Sequence, residues 1–91
     1  MTTLDDVFEQ MQIFERALVE FNEALRLSAQ DMRKSDEEIR ALWQDKAAVQ
    51  YRRIYEPLAN SLDLYLRIDV PRFEAFLQAK VRQLDIFLHG Q

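Results

Sequence analysis

A proton-moving side chain near neutral pH, a nucleophile beside a base, or a set of carboxylate and imidazole ligands would each point to a reaction. This 91-residue chain supplies few of them: it has no Cys and a single His, His89. His89 lies at the end of the last helical pattern, where an imidazole is placed to offset the negative end of a helix rather than to act as a base. The nearest carboxylate groupings are Glu20 with Glu23, and Asp36-Glu37-Glu38. A di-iron bundle site needs Glu-x-x-His pairs, and none occurs, so these acids read as solvated faces and caps. One Gly is too few for a phosphate-cradling loop. No catalytic, cofactor-binding or metal-ligating residue is expected, and the chain is read as non-enzymatic.

Arg52-Arg53 beside Tyr51 and Tyr55 is the one grouping that could stack on bases and neutralise phosphates. Against it stands a net charge of −4, since phosphate binding needs clustered cations. Tyr51 and Tyr55 also fall on the apolar side of their segment, so the arginines read as a solvated edge facing an acidic partner segment. Residues 1 to 38 hold ten acids and four bases, and residues 39 to 91 six acids and eight bases. That asymmetry favours pairing of the two halves, within one chain or between two copies. Trp43 is either core filling or an anchor for another protein, because Trp is enriched among binding hot spots.

The elements that would position these residues are helical. One Gly and two Pro leave almost nothing from which to build the turns of a β fold. Alternating steps of three and four residues give Leu4, Val7, Met11, Phe14, Leu18, Phe21, Leu25, Ser28, Met32, Ser35, Ile39 and Leu42. Ten of these twelve are apolar and no Pro or Gly precedes Pro57, so a single helix over about 3–42 is predicted, about 58 Å long at 1.5 Å per residue. Propensity alone does not hold so long a helix together in water, and its stripe needs a partner of similar length. Phe8, Ala17, Ala24 and Ala29 widen the stripe beyond a two-stranded seam and favour a hairpin or bundle. A capping box from Ser35 to Glu38, starting a second helix there, is the alternative.

The phase breaks at Leu42-Trp43, and Asp45 can cap a second helix, so a reversal over 43–45 is predicted. That second helix covers about 46–68 with a broad apolar face. Pro57 removes one backbone hydrogen bond within it; a kink is expected there, with a helix end at Glu56 as the other option. Asp69-Val70-Pro71 marks a firmer break, from which a third helix runs over about 70–89 to a cap at Gly90. That helix carries Phe73, Phe76, Leu77, Val81, Leu84, Phe87 and Leu88 on one side. It either extends the return arm or folds back into a compact three-helix arrangement. No segment approaches the roughly 20 apolar residues of a membrane span, and the acidic N-terminus lacks the basic start of a secretory signal. A cytoplasmic protein, or one exported by another route, is expected.

Leu42-Trp43-Gln44-Asp45-Lys46-Ala47-Ala48-Val49-Gln50-Tyr51, set between two long helices in about ninety residues, resembles the small Trp-Xaa-Gly helical-hairpin proteins. The likeness covers roughly residues 15 to 66 and rests on Trp43, the Ala47-Ala48 pair and Tyr51, with Asp45 standing where that motif has Gly. It implies an antiparallel hairpin that pairs as an antiparallel dimer into a four-helix bundle, with Trp43 at the tip, and a link to type VII secretion. That family's export spacing, Tyr followed four residues later by an acid, is met by Tyr65 and Asp69. The expected fold is therefore all-α: a single domain over 1–91, a long antiparallel hairpin with a third C-terminal helix, dimerising into a bundle. The expected interaction residues are Trp43, Asp45 and Tyr51 at the tip and Leu18, Phe21 and Leu25 in the seam. The partner is a second copy or a related helical protein, with no membrane or nucleic acid. A cytoplasmic adaptor, antitoxin-like or chaperone-like subunit of a larger protein is the other functional class.

Overall fold

The computed structural model describes residues 3–90 and consists of two antiparallel arms. The first, α1, runs unbroken over Leu4–Leu42. Thr3 caps it reciprocally with Asp6: the Asp6 N–H donates to Thr3 Oγ1 at 3.1 Å and the Thr3 N–H to Asp6 Oδ2 at 3.2 Å. Ser35 and Glu38 lie inside α1, so no second helix starts there. Trp43 ends it in extended conformation, and the Ala48 N–H donates to Asp45 Oδ1 at 3.1 Å, which makes Asp45 the cap of the next helix as expected.

The return arm is α2, Lys46–Leu64, a π turn over Tyr65–Asp69, and α3, Val70–His89. α2 passes through Pro57 without ending. The break expected at Asp69-Val70-Pro71 is absent: both residues before Pro71 are right-handed helical, with φ −72° and ψ −41° at Asp69 and φ −58° and ψ −51° at Val70. The chain instead widens by one residue, the Val70 N–H bonding to Tyr65 O. The π turn places Pro71 in the first turn of α3, where its missing N–H costs least. Gly90 closes the arm with φ 68°, its N–H bonded to Ile86 O. α3 thus prolongs the return arm and packs along the first half of α1, which excludes the compact three-helix form. The molecule measures 64 × 23 × 17 Å.

The inward residues of α1 are Phe8, Met11, Glu15, Leu18, Asn22, Leu25, Ala29 and Asp36, with Trp43 following at its C-cap. This corrects the expected seam by one column: Leu18 and Leu25 point inward, but Phe14 and Phe21 do not, and Glu15 and Asn22 take the places beside them. On the return arm, Ala48, Arg52, Tyr55, Ala59, Leu62 and Leu66 face inward, followed by Val70, Glu74, Leu77, Val81, Leu84 and Leu88. Three successive steps of four, from Leu62 to Glu74, contain one residue more than a heptad allows, and the π turn absorbs it. Among the described residues only Asn22, Asp36, Ala48 and Val70 are buried, so the seam is thin and half of its buried members are polar.

Candidate interaction face

Among the described residues Asn22 is the most enclosed side chain, 2% exposed, and both ends of its amide are used. Its Nδ2 donates to Glu74 Oε1 at 3.2 Å, and Tyr65 Oη donates to its Oδ1 at 2.9 Å. One partner is the first residue of the π turn and the other lies after it, so Asn22 ties α1 to both ends of the distortion. A polar residue at an inward heptad position fixes register at some cost in stability. Asn22→Ala leaves both partners unpaired in a half-buried setting, and a loss of about 1–3 kcal/mol is expected in denaturant unfolding.

The two edges of the hairpin differ. Along one, α1 presents the column Arg26, Arg33, Arg40, and the return arm presents Glu56 and Asp63. Arg40 Nη2 lies 3.6 Å from Glu56 Oε1, and Arg33 Nη2 lies 4.0 Å from Asp63 Oδ1. Buried Asp36 accepts from Arg40 Nε at 2.9 Å, and burial and then the Asp36 charge push the neighbouring Tyr55 hydroxyl above its usual range. These inter-arm pairs run opposite to expectation: the cations belong to α1 and the acids to the return arm. Their exposed partners make them modest contributors to stability.

The other edge is apolar. In an antiparallel pair, equivalent heptad columns emerge on the same side, so the column preceding the inward positions of α1 lies beside its counterpart on α3. The first column holds Val7, Phe14 and Phe21, and the second holds Phe73 and Phe87, with Phe76 next to them. A shallow concavity formed by Met11 with Lys80, Gln83, Leu84 and Phe87 joins the two arms on this side. Phe14, Phe21, Phe73, Phe76 and Phe87 are 57–72% exposed. Five of the six phenylalanines therefore line one open face, the sixth being Phe8 in the seam against His89.

The expected tip residues do come together. Trp43 is half-buried, with its ring 5.6 Å from that of Tyr51, which stacks on Tyr55 at 5.7 Å. Trp43 is thus part of an aromatic ladder at the closed end of the hairpin, and Asp45 beside it serves as a cap. Leu18 and Leu25 belong to the seam and Phe21 to the open face. His89 bonds Asp85 Oδ1 through Nδ1 at 2.6 Å. Among the described residues no cluster of three or more His, Cys, Asp or Glu is placed to hold a metal ion, and no helix is long and apolar enough to cross a membrane. Protein-family models, curated proteins and solved structures return no match to the chain.

Spacing alone puts Phe73, Phe76 and Phe87 on the packed side of α3, and the structure corrects this. The signal that separates them from Leu77, Val81, Leu84 and Leu88 is the one-residue slip between Leu66 and Val70, which rotates every later side chain.

Proposed function

We propose that this chain is a non-catalytic protein–protein interaction module, a helical hairpin that docks through its phenylalanine face onto another helical surface. The observation that carries the reading is the concentration of five exposed Phe on one edge while the opposite edge is bridged by ion pairs. Large contiguous apolar surface on a small protein marks an interaction site. Aromatic side chains supply most contact energy per residue when such a surface is covered. The tip position of Trp43 and the hairpin itself support kinship with the Trp-Xaa-Gly hairpin proteins, and with it a secretion-linked role. Asp45 in place of Gly, and the return arm prolonged through a π turn, set this chain apart from that pattern.

Light scattering on the purified chain, with and without Phe14→Glu and Phe76→Glu, tests the reading. Both positions are more than half exposed, so far-UV helicity should persist in the variants while association, or apolar-dye binding where the wild type is monomeric, falls at least tenfold. A wild-type monomer that binds no such dye would refute a docking face.

A further inference from the structure

The occupant of the phenylalanine face can be specified further, on the footing that the face is a docking surface. We propose that it is a second copy of this chain, stacked face to face and pointing the same way. Both tips then lie at one end, and α1 of each copy runs along the return arm of the other.

Area supports the second copy. The chain exposes 7379 Å² at 10.9 kDa, whereas a compact monomer of that mass exposes about 5,600 Å². The excess, roughly 1,800 Å² per chain, is of the size that obligate homodimers bury. The face runs over residues 7–21 of α1 and 73–87 of α3, about 21 Å at 1.5 Å per residue, and two copies stacked in the same direction lay these faces on one another over that whole length. Because Phe residues occur on both arms, a two-fold axis along the molecule brings Phe14 and Phe21 of one copy against Phe73, Phe76 and Phe87 of the other. The face is complementary to itself.

Charge decides the direction. α1 carries ten acids and five bases; the return arm, Lys46 to His89, carries five acids and seven bases. Stacked in the same direction, each acidic arm is flanked by two basic ones, its own and its partner's. Stacked in opposite directions, face to face, α1 lies on α1 and acid faces acid. Lys80, whose Nζ sits 5.4 Å from the Phe76 ring centre, is likewise carried to the acidic arm. Apolar area supplies the affinity, and the charges select the orientation. The arrangement is the reverse of the antiparallel dimer that the Trp-Xaa-Gly resemblance implies.

The absence of Cys makes the test direct. Gln44→Cys places one nitroxide label on the exposed turn, for pulsed dipolar spectroscopy on the full chain alongside its mass in solution. The expected result is a dimer with a tip-to-tip distance of about 20–35 Å, given helix layers packed about 10 Å apart and the reach of two labels. A dimer with labels farther apart than the 64 Å length of one hairpin overturns the orientation while leaving the docking face intact. A monomer that binds an apolar dye overturns the second copy as occupant and assigns the face to a different protein. A monomer without dye binding overturns both this inference and the docking face.

Discussion

Leu18→Asp should unfold the hairpin, whereas Phe21→Asp, three residues away, should leave it folded and remove only its association. Leu18 lies in the seam, half-buried, and an aspartate there replaces packed methyl groups with a charge. The expected cost is about 3 kcal/mol or more. With only four buried residues among those described, the isolated hairpin has little stability to spare, and a loss of that size exceeds what a thin core supplies. Phe21 is 59% exposed in the single chain, so Asp there buries no charge until a partner arrives. Far-UV circular dichroism melts should show Leu18→Asp without a cooperative transition. Phe21→Asp should keep the helical signal of the wild type, with a halved mass if the partner is a second copy. Equal loss of helicity in both would mean that the two columns share one core.

The contrast between these two residues shows how much of the fold was legible in the sequence. The apolar spacing from Leu4 to Leu42 identified a helix of the right length, because a continuous stripe without Pro or Gly has no other economical explanation. It also gave the reversal at Trp43 and the cap at Asp45. What it could not give was which flank of the stripe meets the return arm. The stripe is three columns wide. The inward outer column holds Glu15, Asn22 and Asp36, and the outward one holds Val7, Phe14 and Phe21. Counting apolar residues selects the outward column, since hydrophobicity records that a surface must be covered and not by whom. Asn22 faces the hairpin because it finds Tyr65 and Glu74 there, whereas Asp36 is paired within its own helix, to Arg40. The Asn22 pairings depend on residues distant in sequence, and no local rule supplies them.

The tip was legible for the same reason the seam was not. Trp43, Tyr51 and Tyr55 are close in sequence, so a turn followed by one helix brings their rings together whatever the rest of the chain does. The face needed two arms in register, and its register depends on the π turn.

Removing one residue from that turn should be tolerated, although a deletion inside a helix normally destroys the packing of every later turn. Each residue advances an α-helix by about 100°, so a single deletion rotates all later side chains by that angle and turns a packed face toward solvent. Between Leu66 and Val70 the return arm already contains one residue too many, which the Val70-to-Tyr65 bond accommodates. Deleting exposed Ile68 restores the steps of three and four from Leu62 through Leu88 and lets the arm close as a regular α-helix. Pro71 would then sit inside that helix at a cost of about 3 kcal/mol, so the deletion is combined with Pro71→Ala. The double change is expected to keep the helical signal and to melt at or above the wild-type temperature. Deleting exposed Asn60, where the phase has no surplus, should rotate α3 away from α1 and abolish cooperative folding. If the two deletions behave alike, the π turn is not what keeps the phenylalanine face and the seam on their respective sides. If they separate as expected, the extra residue sets where α3 points its aromatic rings, and so whether Phe73, Phe76 and Phe87 join Phe14 and Phe21 in a single surface.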